Sequence, residues 1–270
     1  MKIALSTHVC LEQPLSKPLL QQIKSAGFGN LELWGMRPHF NHQQAIEIGK
    51  ILHEEGLNVV AVHAPFYTHV DRLRAGERLS LAAPDPLARQ IALQETYQVT
   101  DALPALNCPL LIVHPGGLND ADSAERKNLL KMSLLSLLEY AKDLNLKIAL
   151  ENIPSPLGNP ENVYNLVEEI NNPNLGLCLD LGHGNLSGNL PGLIRKYADK
   201  LFHIHASDNS GCKDQHLVPG EGNINWPLIN TRLSEIGYSN FLSWEIRYTE
   251  IWPDVLGKIY DKSGEIFPAF

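Results

Sequence analysis

The chain has 270 residues, of which 44% are hydrophobic and 19% are charged, as in an ordinary soluble globular protein. Its formal net charge of −8 disfavours a partner that is mainly phosphate, because nucleic-acid affinity depends largely on Lys and Arg. The polar N-terminus MKIALSTH has no signal-peptide character, and no apolar run approaches the roughly 20 residues that span a bilayer, so we expect a cytoplasmic protein without membrane contact.

Eight short apolar segments, spread along the whole chain, have the composition of β-strands. Each is rich in Leu or in β-branched residues and is apolar along nearly its whole length. This pattern is typical of parallel strands that are buried on both faces. The predicted strands are residues 2–8, 30–36, 58–66, 109–116, 147–153, 175–183, 201–208 and 241–247.

Amphipathic segments between these strands predict helices. The predicted helices are residues 16–27, 43–56, 123–145, 159–172 and 226–237. The first two end at Gly27 and Gly56, the residue type that most often closes a helix. Ser123 and Asn159 are predicted N-caps of two later helices. Strands that alternate with helices indicate a parallel sheet, and about eight such units predict one domain over residues 1–270, an α/β (β/α)8 TIM barrel.

Two connections are longer than the rest, at residues 67–86 and 206–224. Both follow predicted strands and should therefore lie at the C-terminal mouth of the barrel, where active sites are built. The first connection carries Arg72, Arg74 and Arg78. We expect these arginines to form a solvated loop face rather than a phosphate site.

Four cysteines are widely spaced, without a CxxC pair, and predict reduced, buried thiols. The tail after residue 247 carries Trp252, Tyr260 and Phe267. We expect this aromatic tail to pack across the barrel exterior, and it is also compatible with covering a neighbouring subunit in a homo-oligomer.

Side chains of the metal-binding types end six consecutive predicted strands and recur in the loop after the seventh. They are His63, His114, Glu151, Asp180, His183, His205, Asp214, His216 and Glu245. Barrel closure should bring these five imidazoles and four carboxylates around one rim. Unpaired inward-facing charges are costly, and divalent cations are the simplest way to neutralise them. Mixed His and carboxylate ligands suit Zn²⁺, Mn²⁺ or Co²⁺ better than Ca²⁺ or Mg²⁺.

The motifs HAPF, HPGG, LEN, DxxH, DxH and WEI occur in register with the strand ends, and the loop DQHLVPGEGNI follows the seventh strand. Together they resemble the xylose isomerase-like TIM barrel superfamily, also called AP endonuclease family 2. This superfamily includes the sugar isomerases and epimerases as well as endonuclease IV. The resemblance extends from the first strand to the eighth.

The sugar isomerase and epimerase branch implies one divalent metal, held by Glu151, Asp180, His205 and Glu245. It also implies an enzyme that acts on a small carbohydrate, a sugar or sugar phosphate, through a metal-stabilised enediolate. Glu151 and Glu245 would then exchange protons at carbon as general acid and base. His183 would hold a substrate hydroxyl. The candidate substrate-binding residues are His183, Glu32, Trp34 and Arg247.

The endonuclease IV branch implies an alternative: a zinc phosphodiesterase with three metal ions that cuts DNA at abasic sites. All nine ligand positions of that branch are matched by the nine side chains named above. The acidic net charge and the first loop, THVCLEQPL, which has an acidic residue and no Lys or Arg, argue against it. We therefore favour the isomerase or epimerase, with one to three ions, zinc preferred over Mn²⁺ or Co²⁺. A non-catalytic barrel is disfavoured because none of the ligands has been lost.

Overall fold

The computed structural model describes residues 1–268 and forms a closed barrel in which each strand pairs in parallel with its neighbours in chain order. The eight strands are β1 (Lys2–Ser6), β2 (Asn30–Trp34), β3 (Asn58–His63), β4 (Leu110–Val113), β5 (Lys147–Glu151), β6 (Leu175–Asp180), β7 (Leu201–Ala206) and β8 (Phe241–Trp244). All eight predicted strands are confirmed. Each ends two or more residues earlier than predicted, because the chain leaves the sheet to build the loops at the barrel mouth.

Helices surround the barrel. The helices of residues 1–268 are α1 (Lys17–Ser25), α2 (Ala45–Glu54), α3 (Val70–Arg74), α4 (Pro86–Thr100), α5 (Ala124–Ala141), α6 (Pro160–Ile170), α7 (Leu181–Leu186), α8 (Leu190–Tyr197), α9 (Trp226–Glu235) and α10 (Trp252–Ile266). The five predicted helices correspond to α1, α2, α5, α6 and α9. The short helix α3 lies inside the connection 67–86, which the sequence predicted to be a loop.

The predicted helix ends are also confirmed. Gly27 and Gly56 adopt φ values of 101° and 62°, in the left-handed region that closes helices α1 and α2. The Ser123 side chain accepts a hydrogen bond from the backbone N–H of Arg126, and Asn159 caps α6 in the same way. These local signals fix where the helices begin and end, and hence the lengths of the loops that carry the site.

The C-terminal helix α10 packs on the outside of the barrel, against α1 and α9. Trp252 and Phe267 are buried, and the Phe267 ring lies 5.9 Å from that of Trp244 on β8. Tyr260 remains partly exposed and contacts Phe28 edge to face. The expected packing of the aromatic tail across the barrel exterior is therefore confirmed. No helix within residues 1–268 is long and apolar enough to cross a membrane.

Three of the four cysteines are buried and unbonded, as predicted: Cys10, Cys108 and Cys178. Cys212 is exposed, which corrects the prediction for this residue. Its position explains the difference, because the connection 206–224 runs over the protein surface, as loops do.

The barrel has two register irregularities, both close to residues that the sequence analysis named as candidate site residues. The pairing of β2 with β3 shifts between Leu31 and Glu32. The pairing of β6 with β7 shifts between Leu177 and Cys178, two residues before Asp180. Such bulges redirect the side chains that follow them and are frequent beside active sites.

Candidate metal centre

Residues at or after the carboxyl ends of all eight strands line one cavity of about 210 Å³ at the barrel mouth. Glu151 and Asp180 are the last residues of β5 and β6, and Glu245 directly follows β8. All nine predicted ligands lie at this end of the barrel, where they form three groups. Two of these groups contain Glu151, and the third lies next to it. The shared location follows from barrel closure, because all strands are parallel and their carboxyl ends form one ring.

The first group, here called the central quartet, consists of Glu151, Asp180, His205 and Glu245. These residues are between 0% and 3% exposed. His205 Nδ1 lies 3.3 Å from Glu151 Oε2 and 3.4 Å from Glu245 Oε2. The quartet thus places two carboxylates within 3.4 Å of one imidazole nitrogen in a site that water barely reaches.

Three polar atoms of the central quartet have no hydrogen-bond partner among residues 1–268: Asp180 Oδ2, His205 Nδ1 and Glu245 Oε2. Buried polar atoms are normally satisfied, and leaving one unpaired costs about 1–3 kcal/mol. Burial raises the pKa of the Glu245 carboxyl to about 7, and it also raises the pKa of Asp180. A divalent cation among these atoms would satisfy all three and relieve the repulsion between the carboxylates.

The second group, the His63 cluster, contains His63, His114 and Glu151. The Nε2 atoms of the two histidines lie 3.3 and 3.4 Å from Glu151 Oε2. His63 donates its Nδ1 hydrogen to the carbonyl oxygen of Ala64 at 2.8 Å, which turns Nε2 towards the cavity. Burial lowers the pKa of His114 to about 4, so that this ring is in the neutral form that binds metals.

The third group, the loop cluster, contains His183, Asp214 and His216. The two oxygens of Asp214 lie 3.2 Å from His183 Nε2 and 3.2 Å from His216 Nε2. Backbone carbonyls of Asn152 and Glu245 accept the Nδ1 hydrogens of the two rings. Burial opposes the charged form of His216, but Asp214 and Glu245 outweigh it and raise the pKa of His216 to about 9. The field that holds a proton on this ring would equally attract a cation.

The loop cluster is held in place by Asp208, which sequence analysis did not identify. This fully buried carboxylate accepts hydrogen bonds from the backbone N–H groups of Asn209, Gly220 and Ile224 and from the Trp226 indole, at 2.8 to 3.1 Å. Its own backbone pairs with Leu217 in both directions. Asp208 therefore closes the connection 206–224 into a defined loop around Asp214 and His216.

The predicted substrate-binding residues divide into two classes. Trp34, His183 and Arg247 line the cavity, as expected. Glu32 does not line the cavity wall, which corrects the prediction for it. Its side chain is fully buried, and its Oε2 atom lies 2.9 Å from His203 Nε2 and 3.0 Å from His205 Nε2. The register shift at Glu32 accompanies this inward orientation.

Two cavity-lining aromatic rings were also missed by the sequence analysis. His8 stacks on Trp34 with ring centroids 4.2 Å apart, and Phe66 stacks on His114 at 4.5 Å. His8 ends the first predicted strand, as the metal-type residues end the later ones, so the same rule of strand ends could have found it.

Two arginines of the connection 67–86, Arg72 and Arg74, form exposed ion pairs, as expected for a solvated face. Arg72 lies 2.8 Å from Glu77, and Arg74 lies 2.5 Å from Glu12. Arg78 instead lines the cavity.

Comparisons with known proteins agree with this geometry. The family model for the xylose isomerase-like TIM barrel matches residues 20–262. An uncharacterised protein of Methanocaldococcus jannaschii is 28% identical over 282 residues, covering 98% of this chain and 92% of that protein. The D-psicose 3-epimerase of Enterocloster bolteae is 24% identical over 240 residues, covering 82% of this chain and 73% of the enzyme.

Solved structures show the same fold. A D-tagatose 3-epimerase-like protein superposes with a TM-score of 0.83 at 26% identity, covering 99% of this chain and 98% of its own. The IOLI protein, solved with a bound zinc atom, has a TM-score of 0.78 at 20% identity and covers 98% of this chain and 96% of its own. The latter likeness establishes the fold alone.

Proposed function

Because this chain belongs to the xylose isomerase-like TIM barrel family, we propose that it is a divalent-metal-dependent isomerase or epimerase of a sugar or sugar phosphate. The observation that carries the proposal is the central quartet, in which three buried polar atoms, Asp180 Oδ2, His205 Nδ1 and Glu245 Oε2, have no hydrogen-bond partner among residues 1–268, and the last two lie 3.4 Å apart. The relatives that act on carbohydrates support the substrate class.

The donor set of the quartet fits a divalent ion. Glu151, Asp180, His205 and Glu245 would hold the ion through one nitrogen and three carboxylates, a combination that suits Zn²⁺, Mn²⁺ or Co²⁺. When bound, such an ion supplies Lewis-acid polarisation of a substrate carbonyl.

Glu151 and Glu245 are the proposed acid and base. Each carboxylate has two oxygens, so that one can serve the ion while the other exchanges a proton with the substrate. Removal of the proton from the carbon next to the carbonyl sends the electron pair to the carbonyl oxygen and gives an enediolate. Return of a proton to the opposite face of the same carbon gives an epimer. Its return to the neighbouring carbon, with transfer of the hydroxyl proton to the former carbonyl oxygen, gives an aldose–ketose isomer.

The cavity wall suits a small carbohydrate. Trp34 stacks with His8 and His63, with ring centroids at 4.2 and 5.0 Å, and lines the cavity together with Phe66 and Leu118, which supply apolar surface for sugar C–H groups. His183 and Arg247 supply polar groups on the same cavity for substrate hydroxyls. Apolar walls with a few convergent polar groups are the usual composition of small-molecule sites.

Solvent deuterium exchange tests the proposal across many candidate sugars at once. The chain, loaded with Zn²⁺, Mn²⁺ or Co²⁺, is incubated in D₂O with a panel of ketoses and ketose phosphates and followed by NMR. We expect deuterium at a carbon next to the carbonyl together with a new isomer, and no exchange after chelation. Protein that binds the ion through the quartet yet exchanges no substrate proton would contradict the proposal.

A second candidate function, a zinc phosphodiesterase that acts on abasic-site DNA, is favoured by one observation. The His63 cluster and the loop cluster provide two more groups of ligand atoms. Within each cluster, the ligand atoms lie within 4.8 Å of one another. A nicking assay on duplex containing an abasic site, with and without chelator, separates the two functions. Zinc-dependent cleavage would support the phosphodiesterase, and we expect none.

A further inference from the structure

A buried layer of polar side chains lies beneath the central quartet and takes no part in the proposed chemistry. Glu32 is its centre and is 0% exposed. Its Oε2 atom lies 2.9 Å from His203 Nε2 and 3.0 Å from His205 Nε2, and its Oε1 atom accepts a hydrogen bond from Ser6 at 3.2 Å. Of the hydrogen bonds that Glu32 makes within residues 1–268, the one to the His205 ring connects it to the central quartet.

The chemistry of Glu32 decides which nitrogen of His205 carries hydrogen. Its Oε1 atom accepts the hydroxyl hydrogen of Ser6 at 3.2 Å, and its Oε2 atom lies between the Nε2 atoms of His203 and His205 at 2.9 and 3.0 Å. A carboxylate with this set of partners acts as the acceptor of their hydrogen bonds. The Nε2 atom of His205, 3.0 Å from Glu32, is therefore the donor.

The other ring nitrogen of His205 faces the quartet. Nδ1 lies 3.3 Å from Glu151 Oε2 and 3.4 Å from Glu245 Oε2, without a hydrogen-bond partner in residues 1–268. With its hydrogen on Nε2, a neutral ring offers the lone pair of Nδ1 to this point. His205 therefore faces the other three quartet residues with its Nδ1 atom.

Three other histidines of the site are held in the reverse orientation. His63, His183 and His216 place Nδ1 2.8 to 2.9 Å from backbone carbonyl oxygens and turn Nε2 towards the cavity. Backbone carbonyls are present whatever the side chains. His205 is different because the partner of its Nε2 atom is a side chain, Glu32, which a substitution can remove.

We infer that Glu32 is a positioning residue that fixes the hydrogen of His205 on Nε2 and so presents Nδ1 to the ion required by the proposed function, on which this inference rests. His203 and Ser6 hold Glu32 in place. The partner of a metal-binding histidine typically contributes about 10- to 100-fold in metal affinity. Loss of the Glu32 carboxylate should therefore weaken zinc binding by about this factor.

NMR of the wild-type protein with ¹⁵N-labelled histidine tests the inference directly. We expect an Nε2–H of His205 that exchanges slowly with solvent in both zinc-free and zinc-loaded protein, and a zinc-dependent shift of Nδ1 alone. An Nε2 without hydrogen, or a zinc shift at Nε2, would overturn the inference. If the Nε2–H is present but zinc does not bind at all, the proposed function is contradicted. The role of Glu32 in presenting Nδ1 to an ion is then contradicted too, although the hydrogen bond between Glu32 and His205 is confirmed.

A pair of variants tests the role of Glu32 by affinity. Glu32→Gln keeps the shape of the side chain but removes its charge, and chelator competition should show zinc binding weakened about 10- to 100-fold. Ser243→Ala is the matched control, because Ser243 contacts His203 in the same buried layer without a hydrogen bond to His205, and it should bind zinc like the wild type. Equal zinc affinity of Glu32→Gln and wild type would contradict the inference, and the NMR experiment stands even if Glu32→Gln does not fold.

Discussion

The central quartet and the loop cluster place similar ligand types a few ångströms apart, but the chain builds them in different ways. The quartet residues stand at the ends of four neighbouring strands and are at most 3% exposed. The loop cluster takes Asp214 and His216 from the irregular connection 206–224, where the Asp214 side chain is 32% exposed. The hydrogen bonds between neighbouring barrel strands fix the positions of the quartet residues, whereas the loop cluster depends on contacts within its own loop.

This difference separates the two candidate chemistries. Proton exchange at carbon needs only the quartet and its two glutamates, which lie in the rigid, buried part of the site. A phosphodiesterase with several ions would also need the loop cluster, which depends on Asp208 and on the left-handed backbone of His216, at φ 47°. Substitutions that damage one group and spare the other therefore discriminate between the two functions.

The largest effect should come from the quartet. Glu245→Gln removes both a ligand charge and a proposed acid–base group, so kcat/KM should fall by about 1,000-fold or more on the substrate found by deuterium exchange. The control is Glu250→Gln, an exposed carboxylate nearby that should leave kcat/KM unchanged. A Glu245→Gln protein with activity within about tenfold of wild type would exclude this residue from the chemistry.

A smaller effect is expected from the anchor of the loop cluster. Asp208→Asn turns an acceptor of four hydrogen bonds into a group that presents N–H to buried N–H donors, so the free energy of unfolding should fall by about 2 kcal/mol. Hydrogen exchange should accelerate within residues 209–224 and not in the barrel strands. Asp254→Asn, at an exposed position, is the control. Unchanged stability together with unchanged exchange would show that Asp208 does not hold the loop.

The smallest effect concerns only the accessibility of the cysteine thiols to solvent. Cys212 lies exposed in the loop, whereas burial raises the pKa of the Cys178 thiol beneath the quartet. A thiol reagent should therefore modify Cys212 rapidly in the native protein and the three buried thiols only after denaturation. Cys212→Ser should remove the rapid phase. Rapid modification of a second thiol would show that the barrel interior opens more readily than its packing indicates.

The sequence predicted the barrel and the location of the quartet residues at its mouth because both follow from periodic signals, whereas the grouping of these four residues as one metal site came from the family resemblance. Continuous apolar segments alternate with capped helices, and Glu151, Asp180 and Glu245 fall at or directly after strand ends. Parallel closure then dictates that these ends meet. No distance was needed to place these residues in one site.

Glu32 and Asp208 could not be assigned in the same way. Glu32 also lies near a strand end, but a register shift accompanies its position under the cavity rather than on its wall. Asp208 follows β7 like a ligand, yet its partners are N–H groups from Asn209 to Trp226. Sequence position shows that a polar residue is at the mouth, and only the local backbone path decides whether it faces the cavity or the loop.

Elemental analysis of the purified chain tests the central claim most directly, with Asp180→Ala, Asp214→Ala and His63→Ala alongside. We expect about one divalent ion per chain in the wild type, retained in Asp214→Ala and His63→Ala and lost in Asp180→Ala, because under the proposed function the central quartet alone would hold the ion. About three zinc ions per chain, falling in each variant, would contradict this account and favour the phosphodiesterase. A wild-type chain that binds no divalent ion would exclude both.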